Sequence, residues 1–90
     1  MKVVNLRKEN YTHYIGRGSL FGNPYKIGKD GTRKEVINKY EKWIRKQPKI
    51  LEAIYYLPES AILGCYCNPK ACHGDIIVQI WKELHSEKTD

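Results

Sequence analysis

Ninety residues make one domain with a single small core, because a short chain buries a smaller share of its surface than a long one. The composition, 41% hydrophobic and 29% charged, is globular, and no apolar run approaches the roughly 18 residues of a membrane span, so a spanning role is excluded. The formal net charge is +6 but unevenly held: residues 1–49 carry thirteen Lys/Arg against four Asp/Glu, and residues 50–90 carry three against six. Such asymmetry suits a polyanion, a phosphorylated small molecule or an acidic partner. The N-terminal stretch from Met1 to Arg7 lacks the apolar core of a signal peptide. The expected location is therefore cytoplasmic, where three cysteines point to metal, catalysis or burial rather than to a disulfide framework.

In chain order, Lys2 to Leu6 is short and β-branched and reads as a first strand, with a second within Tyr11 to Ile15. Residues 16–31 hold five of the seven glycines and Pro24, which marks a long ordered loop. Thr32-Arg33-Lys34-Glu35 matches a capping box. Val36, Ile37, Tyr40, Trp43 and Ile44 then fall on one face of a helix running to about Lys46. The basic side chains Lys34, Lys39, Lys42, Arg45 and Lys46 occupy its other, solvated face.

Pro48 opens a shorter helix to about Leu57, and Pro58-Glu59-Ser60 ends it. Ala61 to Cys67 is the best strand in the chain, and Asp75 to His85 is the last helix, with residues 85–90 as a frayed polar tail. Strand, helix pair, strand and helix is an α/β order, and a crossover of that length favours parallel pairing of the outer strands. The expected fold is a small single-domain Rossmann-like α/β structure over residues 1–90, with about three mostly parallel strands and three packed helices.

Chemistry concentrates in Cys65-Tyr66-Cys67-Asn68-Pro69-Lys70-Ala71-Cys72-His73-Gly74-Asp75, which gathers all three cysteines, a histidine and a carboxylate at a strand-to-helix turn. Such turns take ligands in α/β proteins. Free N–H groups at a helix start attract anions, and Gly74 would let a ligand approach the backbone. Cys72 would there have a lowered pKa and serve as nucleophile, His73 as base or donor, and Asp75 as orienting group or helix cap. Zinc is the alternative use, because Cys65, Cys67, Cys72 and His73 form a complete Cys₃His set. The Cys-x-Cys spacing is tighter than in structural zinc sites, however, and the four would come from one short segment. No cofactor is expected on balance, and buried free cysteine is the simplest fate of Cys65.

The loop from Gly16 to Tyr25 supplies the facing wall. Its glycines follow neither the dinucleotide fingerprint nor the P-loop pattern. Arg17, set between Gly16 and Gly18, can present a guanidinium to a phosphate. Ser19 and Asn23 offer hydrogen bonds, and Phe21 and Tyr25 offer rings that either stack on a base or anchor the loop on the core.

Together, Ile15-Gly16-Arg17-Gly18-Ser19-Leu20-Phe21-Gly22-Asn23-Pro24-Tyr25, Asp30-Gly31-Thr32-Arg33 and the terminal Cys-x-Cys-x-Pro-x-x-Cys-His-Gly-Asp resemble the family catalogued as domain of unknown function 4326. The likeness runs from about Val3 to Leu84. That family has bacterial, archaeal and viral members, phages included, and the resemblance implies a site rather than a reaction.

The expected function is binding of a nucleotide-type or phosphorylated small ligand between the Arg17 loop and the Cys72-His73-Gly74-Asp75 turn. If the ligand is turned over, the expected step is hydrolysis or transfer at a glycosidic or phosphate bond. Three alternatives remain: sequestration of a nucleotide signal without turnover, a nucleic-acid-binding module using Tyr11, Tyr14 and Tyr25, and a zinc-stabilised interaction domain. A homodimer is also expected, since a second copy would help enclose a ligand that ninety residues can hardly bury.

Overall fold

The computed structural model describes residues 1–67 and 70–86. Its elements follow the expected order: β1 (Lys2–Asn5), β2 (His13–Tyr14), α1 (Arg33–Ile44), α2 (Pro48–Tyr55), β3 (Ile62–Cys65) and α3 (Gly74–His85). The strands form one parallel sheet in the order β1-β3-β2, with Val4 and Tyr14 both in register with Gly64. Asn68 and Pro69 of the terminal motif, and residues 87–90 of the expected tail, lie outside the described residues.

Local chemistry explains where the helices begin. At the start of α1 the Thr32 hydroxyl accepts the Glu35 N–H at 3.3 Å while Glu35 accepts the Thr32 N–H at 2.8 Å, a complete capping box. Pro48 opens α2 from its first turn, where a missing N–H costs nothing. Both helices stop about two residues short of the expected ends, because their last turns tighten. Lys46 and Gln47 donate three residues back to Trp43 and Ile44, and Leu57 does the same to Ile54. β3 is also shorter than expected at its far end, since neither neighbouring strand extends beyond Asn5 or Tyr14 to pair with Tyr66 and Cys67. α3 starts one residue early and runs through His85, whose ring stacks on Trp81 and Tyr55.

The sequence does not announce how β1 connects to β2. These strands flank β3 and run parallel to it, so residues 6–12 must return along one face of the central strand. Tyr11 lies directly on that strand: a Cβ built on Gly64 would meet the Tyr11 Cγ at 2.7 Å. Gly64 is thus required by a close backbone approach. On the opposite face, Leu63 and Cys65 are buried in a core with Ile15, Tyr40, Ile44, Ile54 and Ile77. The Trp81 indole N–H donates to the Leu57 carbonyl at 2.8 Å, tying α3 to the end of α2. Among the described residues, no helix is long and apolar enough to cross a membrane.

Gly74 sits where α3 meets the sheet. Its added Cβ would meet Ile15 Cδ1 at 2.8 Å and both Val3 methyls at 3.0 Å. Gly74→Ala is therefore expected to destabilise the fold by about 1–3 kcal/mol through overpacking. Gly64→Ala should destabilise as well, because the atoms it meets, Tyr11 Cγ at 2.7 Å and Cβ at 3.0 Å, lie next to the Tyr11 backbone rather than at the far end of its side chain. Urea denaturation of both variants measures the two costs, and a neutral or stabilising Gly74→Ala would contradict the packing described.

Candidate functional site

Because the three strands run the same way, their C-terminal ends emerge on one edge of the sheet. Gly16 and Arg17 follow β2, Tyr66 and Cys67 follow β3, and the first turn of α3 closes the end. A cavity of about 630 Å³ opens there, walled also by Asn23, Tyr25, Lys26 and Ile27 of the loop and by Arg33, Val36 and Ile37 of α1. Tyr14, Cys65, Ala71, Cys72 and His73 complete the wall. This is the crevice in which open parallel sheets take ligands.

His73 is the hub of the wall. Its Nε2 lies 2.6 Å from the Ile15 carbonyl, its ring meets Tyr40 edge-on at 5.0 Å, and its Nδ1 lies 3.6 Å from the Cys72 sulfur. A carbonyl only accepts, so the contact places the proton on Nε2 and leaves Nδ1 as the acceptor of a neutral ring. Burial above all, reinforced by the Arg17 charge, holds the imidazole below its ordinary value against the opposing pull of Ile15. Tyr40 in turn donates its hydroxyl to the Phe21 carbonyl at 2.7 Å, so α1, the loop and α3 are joined through two adjacent rings.

Cys65 is buried, as expected, whereas Cys72 departs from expectation. Cys65 and Cys72 are 1% and 2% exposed and their sulfurs lie 3.1 Å apart. Burial pushes the Cys72 thiol up, not down, and the Cys65 contact adds to the rise; the Gly74 N–H donated to its sulfur is too weak to offset them. The helix start is not an open anion seat either. Gly74 N–H is spent on the Cys72 sulfur at 3.3 Å, Asp75 N–H on the Cys72 carbonyl at 3.0 Å and Ile76 N–H on the His73 carbonyl at 3.0 Å. Asp75 accepts the Cys72 N–H at 3.4 Å, as a cap would, and stays outside the cavity wall.

Of the loop residues expected to bind ligand, Gly16, Arg17, Asn23 and Tyr25 line the cavity. Gly18, Ser19 and Phe21 do not, nor does Gly74 at the start of α3. Gly18 supplies a φ of +92°, and Ser19 donates its hydroxyl to the Gly16 carbonyl at 2.7 Å, so both shape the turn. Phe21 packs against the core and Gly74 faces Ile15 and Val3, which reverses the expectation that Gly74 admits a ligand. Asn23 also bonds to the Val36 carbonyl at 3.2 Å, pinning the loop to α1.

Sequence reasoning missed Lys26 and Arg33. The signal was present, since residues 16–33 hold Arg17, Lys26, Lys29 and Arg33 against Asp30 alone. The Asp30 carboxylate is occupied by the Lys26 N–H at 2.8 Å.

Among the described residues, Cys65, Cys67, Cys72 and His73 included, no group of three or more His, Cys, Asp or Glu is arranged to hold a metal ion.

The family model named Domain of unknown function (DUF4326) matches residues 2–83. The chain belongs to that family. A phage T4 relative, named as an uncharacterized 12.4 kDa protein in the nrdA-td intergenic region, is 39% identical over 90 residues, covering 96% of this chain and 82% of the relative. No solved structure matches. The matched span includes every element of the fold except the last two residues of α3, and with them the whole cavity wall.

Iodoacetamide is expected to modify Cys67 first near neutral pH, since only Cys67 of the three is partly exposed, with Cys65 and Cys72 following only in denaturant. Peptide mass mapping over time gives the order. Early labelling of Cys72 would restore the activated thiol that its burial argues against.

Proposed function

We propose that the protein binds a phosphorylated, nucleotide-type small molecule in the cavity at the strand ends, and that it holds this ligand rather than converting it. The observation that carries the proposal is the charge of the wall. Arg17, Lys26 and Arg33 line it, and among the described residues no Asp or Glu does. None of the three forms an ion pair among the described residues; Arg33 donates to the Ala71 carbonyl at 3.0 Å. Three cations gathered in a concave site without carboxylates repel one another until an anion enters, and guanidinium groups match phosphate oxygens in bidentate fashion. A volume of about 630 Å³ lies in the range of small-molecule sites.

Holding is favoured over turnover because the acid–base groups are otherwise engaged. Asp75 is outside the wall, His73 Nε2 is bound to Ile15 with its Nδ1 beside the Cys72 sulfur, and burial pushes the Cys72 thiol up. The crevice beyond parallel strand ends also supports a Rossmann-like description of this small sheet.

Calorimetry with the four ribonucleoside 5′-monophosphates tests the proposal. Arg17→Ala should weaken the best-bound of them by about 1.5–3 kcal/mol, as for a charge-assisted hydrogen bond. Lys42→Ala, on the outer face of α1 and away from the wall, should change it little. Equal small effects, or no binding by the unaltered protein, would overturn the proposal.

A further inference from the structure

Three tyrosines reach the cavity, but they are not equivalent. Tyr14 donates its hydroxyl to the Arg17 carbonyl at 3.0 Å, and its ring lies against Gly16, where an added Cβ would be 2.5 Å from the hydroxyl. That ring is spent on shaping the loop. Tyr25 is half-buried, with the Lys39 ammonium 6.0 Å from its centroid. Tyr66 is 54% exposed. It directly follows Cys65, the last residue of the central strand, and lines the cavity at the strand ends.

Tyr66 is also held in place. The Arg7 guanidinium lies over its ring, 5.0 Å from the centroid, within cation–π range. Asn5 braces both partners: its side-chain oxygen accepts the Arg7 N–H at 2.9 Å and its side-chain nitrogen donates to the Tyr66 carbonyl at 3.5 Å. Among the described residues Arg7 does not belong to the cavity wall, whereas Tyr66 does. The cation packs on the ring from outside the cavity wall. A half-exposed aromatic face, braced from outside and set in a wall otherwise rich in positive charge, is the arrangement that stacks a nucleobase whose phosphate is held elsewhere.

Resting on the phosphate-binding proposal, we infer that Tyr66 is the base-stacking residue of the site, positioned by Arg7, and that the ligand class is therefore a nucleoside phosphate and not a sugar phosphate. The phosphate would lie toward Arg17, Lys26 and Arg33, and the base on Tyr66.

Calorimetry with the ribonucleoside 5′-monophosphates and with ribose 5-phosphate separates the two ends of the ligand. Tyr66→Leu should weaken the best-bound nucleotide roughly fivefold or more, the effect of losing one base–aromatic stack, and leave ribose 5-phosphate unchanged. Tyr66→Phe should retain nucleotide affinity, which a role through the hydroxyl would not allow. Since the side chain is half-exposed, circular dichroism is expected to show an intact fold in both variants. Unchanged nucleotide affinity in Tyr66→Leu, or equal losses for nucleotide and ribose 5-phosphate, would overturn the assignment of Tyr66 while Arg17→Ala still reports on the phosphate end. Failure of the unaltered protein to bind any of these probes would overturn both proposals.

Discussion

One hydrogen bond organises this domain: the imidazole of His73 to the carbonyl of Ile15, at 2.6 Å. Ile15 is the residue at which the chain leaves β2 and enters the long loop, and His73 is the residue at which it enters α3. A carbonyl at the end of a two-residue strand has no further strand partner, and an imidazole 9% exposed has little water. Each satisfies the other, as buried polar groups must. The bond also fixes the tautomer, directs Nδ1 to Cys72 and places the ring against Tyr40, so the geometry of the cavity wall follows from it. Burial and the Arg17 charge act on the same ring in the same direction, favouring its neutral form. The wall therefore draws its positive charge from Arg17, Lys26 and Arg33.

Much of the fold is legible in the sequence because its elements carry local signals. Thr32 with Glu35, Pro48, and the apolar spacing from Val36 to Ile44 each specify a helix start or face, and the structure places those features as the spacing requires. The parallel sheet also follows from element order. What is not legible is long-range. That residues 6–12 cross β3 and press Tyr11 onto Gly64 depends on two strands flanking a third that comes some fifty residues later, and no local pattern encodes it.

The site divides along the same line. That the Arg17 loop and the Cys72-His73 turn face each other could be expected from an α/β order with both motifs at strand ends, and they do share one cavity. The chemistry of individual residues could not. A cysteine at a helix start reads as activated, but burial against Cys65 decides its pKa and moves it the other way. A glycine beside a candidate ligand reads as an opening, yet Gly74 is dictated by Val3 and Ile15, distant in sequence. Lys26 carries no motif and Arg33 enters only within Asp30-Gly31-Thr32-Arg33, and only the fold shows that they and Arg17 line a space without a carboxylate among the described residues.

The histidine latch is the claim on which this account turns, and long-range ¹H–¹⁵N NMR of the imidazole tests it most directly. His73 should show a protonated Nε2 and an unprotonated Nδ1 at neutral pH, and should titrate below the ordinary value of 6.5, as burial beside Arg17 requires. A proton on Nδ1 in the neutral ring would contradict the bond to Ile15 and the site built upon it, and titration at or above 6.5 would contradict the burial of the ring beside Arg17.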